Sequence, residues 1–160
     1  MLTKDYLNTL FDYKDGMIFW KVKTKRHQQK IGDRAGTKIG DGRRYVSVDG
    51  VRYGEHRIIY FMHHGYTELF IDHRDLDQTN NKIENLRAAT KGQNEQNTTK
   101  RITNTSGYKG VSFNINKNKW RATITVNGKQ KSLGYHFTPE AAFEAYKEAA
   151  NKHYGDFARY

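Results

Sequence analysis

Along the chain the apolar positions change period several times, and each change marks an element. Residues 3–11 place Leu7, Leu10 and Phe11 on one helical face behind Thr3, a candidate N-cap. Asp15-Gly16 then turns the chain into MIFWKVK (17–23), which reads as a strand carrying Trp20. YVSV-DG-VRY alternates with period two around Asp49-Gly50, the signature of a type I′ hairpin. Residues 55–65 return to helical spacing, with Ile58, Ile59, Phe61 and Met62 supplying apolar faces. FIDH (70–73) and LRAAT (86–90) read as two short strands around a polar loop, LDQTNNKIEN, in which Asn80 and Asn81 are natural turn residues. Thr90 and Gln93 then make a T-x-x-Q capping box that opens a helix.

The second half has a different rhythm. TTKRITNTSG shows no periodicity and reads as a linker, placed over 99–106. GYKGVSFN (107–114), KWRATITV (119–126) and KQKSLGYH (129–136) read as strands, with Asn127-Gly128 as another type I′ turn. Thr138 caps a helix over 139–154, and Pro139 opens it at a position whose N–H needs no partner. Its Ala142, Ala145, Tyr146, Ala149 and Ala150 form a small-residue face able to lie close on a sheet. The elements predict an α+β protein with one domain over 1–98 and another over 107–160.

Composition narrows what such domains do. With 36% apolar residues and a mean hydropathy of −0.96, small cores built on the aromatic residues are expected rather than one large core. No run of 18 apolar residues occurs and the N-terminus is not leader-like, so the expected setting is the cytoplasm, with no membrane partner and no export. The absence of cysteine excludes disulfides and thiolate zinc sites. A formal charge of +11 and a pI near 9.7 point to nucleic acid. Residues 100–160 carry eleven Lys/Arg against four Asp/Glu, and none of the acids falls on the expected strands. The aperiodic segment 21–30, with Lys21, Lys23, Lys25, Arg26 and Lys30, is expected to follow a phosphate backbone, as are Lys100 and Arg101. RAGTKIGDGRR neither follows a strand nor ends in G-K-[ST], which excludes a nucleotide-binding loop. His63 and His64 are helix neighbours that do not share a face, so with His56 they read as packing or surface residues.

One spaced pattern carries chemistry: Asp72-His73, eleven residues, Asn85-Leu86, seven residues, Asn94. A carboxylate and an amide oxygen are hard ligands suited to Mg²⁺ (or Mn²⁺), and a neighbouring histidine titrates near neutrality and can take a proton from water. The pattern, with HRIIYFMHHGY upstream and NNKIENLR within it, resembles the phage-type branch of the HNH nucleases over roughly residues 50–98. The resemblance implies a ββα-metal fold with His73 as general base and Asn85 bracing the loop and orienting that histidine. It makes Asp72 and Asn94 the metal ligands.

The C-terminal stretch resembles the plant ethylene-response-factor (APETALA-type) DNA-binding domain, a three-stranded antiparallel sheet backed by one helix. The matching residues are Tyr108-Lys109-Gly110-Val111, Lys119-Trp120, Leu133-Gly134, the alanine-rich helix and Tyr154-Gly155-Asp156-Phe157-Ala158-Arg159. By position Lys109, Lys119, Trp120 and Arg121 inherit contact with double-stranded DNA, Trp120 being equally readable as a core residue; strand location and charge add Lys129 and Lys131. Ser112 and Asn114 stand where that family often has arginine, so its sequence preference is not carried over. Together the resemblances imply a site-specific DNA endonuclease of the homing type, with no protein partner implied. The alternative from another class is a sequence-specific DNA-binding regulator whose nuclease half is inactive.

Overall fold

The computed structural model describes residues 2–23, 29–97 and 104–160. Lys25, Arg26, Lys100, Arg101 and most of the expected linker lie outside the described residues. The chain divides into two units, Met1–Ala89 and Thr90–Tyr160.

The first unit opens with α1 (Lys4–Leu10), whose Thr3 hydroxyl accepts the Tyr6 N–H at 3.1 Å. Phe11 does not extend this helix. It begins β1 (Phe11–Lys14), which pairs antiparallel with β2 (Met17–Trp20). The connecting Asp15 and Gly16 both have positive φ, as a type I′ turn requires. FDYK satisfies a period of two as well as a helical one, and tertiary contact decides: Phe11 lies opposite Trp20 with ring centroids 4.5 Å apart. β3 (Thr37–Lys38), β4 (Arg44–Val48) and β5 (Val51–Gly54) form a meander, with Asp49-Gly50 turning β4 into β5. α2 (Glu55–His64) follows directly and packs against α1, β2 and β5. Its Ile58, Ile59 and Phe61 are fully buried and join Leu7, Phe11, Ile18 and Val46 in one core. β6 (Phe70–His73) pairs antiparallel with β7 (Leu86–Ala89), and a single 3₁₀ turn (Ile83–Asn85) leads into β7.

The second unit starts with α3 (Lys91–Gln96), capped by both bonds of the Thr90–Gln93 box: the Gln93 N–H to Thr90 Oγ1 at 3.3 Å and the Thr90 N–H to Gln93 Oε1 at 2.8 Å. β8 (Val111–Asn114), β9 (Lys119–Val126) and β10 (Lys129–His136) form an antiparallel sheet in the order β10-β9-β8. α4 (Pro139–Tyr154) covers one face of it, capped by the Thr138 hydroxyl. Ala142 and Ala150 let the helix approach Ala122 and Ile124 closely. Gly110, at φ +74°, is required by that approach, because a Cβ there would fall 2.2 Å from the Tyr146 ring. The chain is thus a mixed helix and antiparallel-sheet protein, and among the described residues no helix is long and apolar enough to cross a membrane.

Candidate active site and DNA-binding face

Asp72 and His73 end β6, facing Arg87 and Leu86 in register. Consecutive strand residues point to opposite faces, so the doublet is divided. Asp72 lies with Arg87: the Arg87 Nε donates to Asp72 Oδ2 at 2.9 Å, and a terminal guanidinium nitrogen lies at the same distance. Both side chains are buried. His73, only 7% exposed, directs Nε2 at Asn81 Oδ1, 2.9 Å away. The Asn81 Nδ2 donates in turn to Glu55 Oε2 at 3.1 Å. Glu55, 1% exposed at the start of α2, also accepts from Arg34 at 3.3 Å and from the Ile18 N–H at 3.4 Å.

His56 forms a further wall, its ring centroid 5.1 Å from that of His73. Burial, then the neighbouring His73, Arg57 and Arg43, push its pKa down to about 3, so the ring is neutral at ordinary pH. The backbone two positions before it is tight as well: a Cβ on Gly54 would fall 2.6 Å from the His56 ring.

Asn85 closes the loop between the two strands. Its Nδ2 donates to Asp75 Oδ1 at 2.9 Å and to the Asn80 carbonyl at 2.7 Å, while its Oδ1 accepts the Asp75 N–H at 3.1 Å. Its backbone carbonyl accepts the Arg74 N–H at 2.8 Å, immediately after His73. The loop is pinned from outside as well, since the Tyr13 hydroxyl accepts the Ile83 N–H at 3.0 Å and Gly16 sits so close that a Cβ would meet Lys82 N at 2.8 Å. Asn94 is carried by α3 in the second unit.

As donors, Asp72 and Asn94 match the hard oxygen chemistry that Mg²⁺ takes from proteins, where one or two carboxylate or amide oxygens suffice alongside water and phosphate. Arg87 holds Oδ2 of Asp72. Among the described residues no group of three or more His, Asp or Glu gathers as a metal cluster.

In the second unit the strand register divides the expected DNA-contacting cations. Arg121 lies across from Ser112 on β8 and Tyr135 on β10, on the face away from α4. Lys119 shares that face and stands over the Phe137 ring at 4.4 Å; Lys117, in the preceding turn, stands over Tyr135 at 4.1 Å. The buried Arg121 Nε has no hydrogen-bond partner among the described residues. Lys129 and Lys131 pair instead with Val126 and Ile124, on the side that α4 covers. Trp120, opposite Phe113 and His136, packs half-buried against the Val111–Ala122–Ala142 core. Lys109 lies before β8 and donates to the Gln96 carbonyl at 2.8 Å, capping the C-terminal end of α3; burial lowers its pKa.

The sequence marks His73, Asp72, Asn85, Asn94 and Arg121 as candidates, but it gives no sign that Asn81, Glu55 and Arg34 lie behind His73, that Arg87 pairs with Asp72, or that Tyr135 and Phe137 lie under Lys117 and Lys119. Asn81 passes as one of several turn asparagines, and nothing in local spacing links it to Glu55, 26 positions away.

Comparison with known proteins agrees with this division. A family model described as HNH endonuclease matches residues 53–96, and one described as AP2 domain matches 106–156. Protein 3.8 of Escherichia phage T7 is 35% identical over 91 residues, which is 57% of this chain and 74% of the phage protein. An uncharacterized HNH endonuclease of Acanthamoeba polyphaga mimivirus is 33% identical over 116 residues, 71% of this chain and 59% of the viral protein. No solved structure matches. With the Asp72-His73, Asn85 and Asn94 pattern inside the first match and the three-stranded sheet with its helix inside the second, the chain belongs to the HNH endonuclease family and carries an AP2 domain in its C-terminal half.

Proposed function

We propose that the protein is a site-specific endonuclease of the homing type that hydrolyses phosphodiester bonds in double-stranded DNA through a ββα-metal centre. The observation that carries the reading is the buried His73, directed by Asn81 at the mouth of a loop that Asn85 closes, within the segment matched as HNH endonuclease.

A general base needs one nitrogen with a lone pair and a ring that cannot swing away. The Asn81 bond gives His73 both, because it occupies Nε2 and leaves the lone pair on Nδ1. His73 accepts the proton of the attacking water. Asp72 and Asn94 would hold the divalent ion, Mg²⁺ or Mn²⁺. When bound, such an ion polarises the phosphodiester and offsets the charge developing on its oxygens. Arg87 holds the buried Asp72 carboxyl group in place, and Asn85 keeps the 74–85 loop folded against β6.

The AP2 domain supplies register and affinity. Its open sheet face, with Lys117, Lys119 and Arg121, lies in the major groove, where Arg121 can reach a guanine edge with two hydrogen bonds. The ammonium groups over Tyr135 and Phe137 answer phosphates. Relatives in a bacteriophage and a giant virus support action in the cytoplasm of an infected cell.

A second reading, a DNA-binding regulator with an inactive nuclease domain, is favoured by one observation: the Asp72 carboxylate already has a buried guanidinium partner in Arg87. Incubation of supercoiled plasmid or phage genomic DNA with the protein and Mg²⁺, with and without a chelator, decides between them. Chelator-sensitive conversion to nicked or linear DNA supports the nuclease. Tight, salt-sensitive binding with no cleavage in Mg²⁺ or Mn²⁺ supports the regulator.

A further inference from the structure

Three buried polar side chains from distant parts of the first unit meet end to end: Glu55 at the start of α2, Asn81 in the loop and His73 at the end of β6. They are 1%, 5% and 7% exposed. Burying polar groups is costly unless every one is paired, so such a chain of bonds is held for a reason.

The direction of the bonds follows from chemistry. Both Glu55 oxygens act as acceptors, Oε1 from the Ile18 N–H and Arg34 and Oε2 from Arg34 at 3.3 Å. Only the NH₂ end of the Asn81 amide can therefore face Glu55. The carbonyl end is left for His73, and a carbonyl can only accept. His73 must donate from Nε2, so its neutral ring carries the proton there and the lone pair on Nδ1. The orientation of an otherwise ambiguous amide is thus decided by a carboxylate on its far side.

We infer that Asn81 and Glu55 are positioning residues, a relay in which the Glu55 carboxyl oxygens orient the Asn81 amide and Asn81 locks the tautomer and direction of the His73 ring. This deepens the endonuclease reading, on which it rests for the catalytic use of His73. The relay is anchored at both ends. Arg34 holds Glu55, and the β1–β2 hairpin holds the Asn81 backbone, because a Cβ on Gly16 would lie 3.0 Å from the Asn81 carbonyl carbon and 2.8 Å from Lys82 N. The neutral His56 ring packs beside that of His73, with centroids 5.1 Å apart. The N-terminal hairpin, which carries no catalytic side chain, therefore has a part in setting the base.

The test is the imidazole nitrogen spectrum of the full-length chain, labelled with ¹⁵N-histidine, with no metal or DNA added. In the wild type the neutral His73 ring should show the Nε2–H form alone. Asn81→Ala removes the acceptor for that N–H and should give a mixture of the two forms. Asn81→Ala should also lower the single-turnover cleavage rate about 10- to 100-fold, the usual penalty for losing a residue that orients a functional histidine, with DNA affinity unchanged. A wild-type ring in the Nδ1–H form, or an Asn81→Ala ring still wholly Nε2–H, overturns the relay. If Asn81→Ala does not fold, the wild-type spectrum alone decides. Because that spectrum needs no turnover, it separates failure of the relay from failure of the nuclease reading, which the plasmid assay reads.

Discussion

The two faces of the AP2 sheet predict opposite responses to charge removal. The open face presents Lys117, Lys119 and Arg121, whereas Lys129 and Lys131 leave the sheet on the side that α4 covers. Each phosphate neutralised by a cation contributes about 0.9 to the slope of log affinity against log salt. The double substitution Lys117→Ala/Lys119→Ala should therefore lower that slope by about 1.8. Over a fourfold rise in salt, from about 50 to about 200 mM, this is a loss of affinity about tenfold smaller than in the wild type. Lys129→Ala/Lys131→Ala removes the same formal charge from the other face and should change the slope by well under one contact. Fluorescence anisotropy with a labelled duplex, titrated at several salt concentrations with the full chain, measures both. Equal flattening by the two pairs would mean that affinity follows net charge and that the open sheet face is not the docking surface.

Other consequences concern the nuclease unit. Arg87→Ala leaves the Asp72 carboxylate buried without its guanidinium and should cost about 3–5 kcal/mol of stability, read by urea unfolding; a loss below about 1 kcal/mol would show that the pair is not buried in solution. His56, with a pKa near 3 when folded and near 6.5 when unfolded, binds its proton more tightly in the unfolded chain between those values. Its contribution to stability is then complete above about pH 6.5 and is lost as the pH falls towards 3, with a slope of up to about 1.4 kcal/mol per pH unit that His56→Phe should remove. Asp72→Ala and Asn94→Ala should each raise the Mg²⁺ concentration needed for half-maximal cleavage, and an unchanged metal titration for either one removes that residue from the ligand set.

What the sequence disclosed was local. The Asp49-Gly50 and Asn127-Gly128 turns, the caps at Thr3 and Thr138 and the Thr90–Gln93 box each depend on residues within a few positions of one another, and each forms as its chemistry requires. The spacing of Asp72-His73, Asn85 and Asn94 likewise marks the nuclease segment. β1 was not visible in this way, because Phe11 suits a helical face as well as a strand and only its pairing with Trp20 decides. Side-chain pairing across the fold was also hidden: no local pattern joins Glu55 to Asn81, or Asp72 to Arg87. The faces of β10 lie between these cases. Lys129 and Lys131 share the alternation of Leu133, a core residue, which already sets them on the covered side. The bulge at Leu133-Gly134 then moves Tyr135 to the open face beside Arg121, a shift that alternation alone does not contain.

Whether His73 moves a proton rather than binding DNA is tested most directly by measuring single-turnover cleavage and duplex affinity side by side for the wild type and His73→Ala in saturating Mg²⁺. Loss of a general base should slow cleavage by about 10²–10⁴-fold while the dissociation constant stays within about twofold. Equal cleavage rates, or a fall in rate that merely tracks weaker binding, would contradict the proton-transfer role.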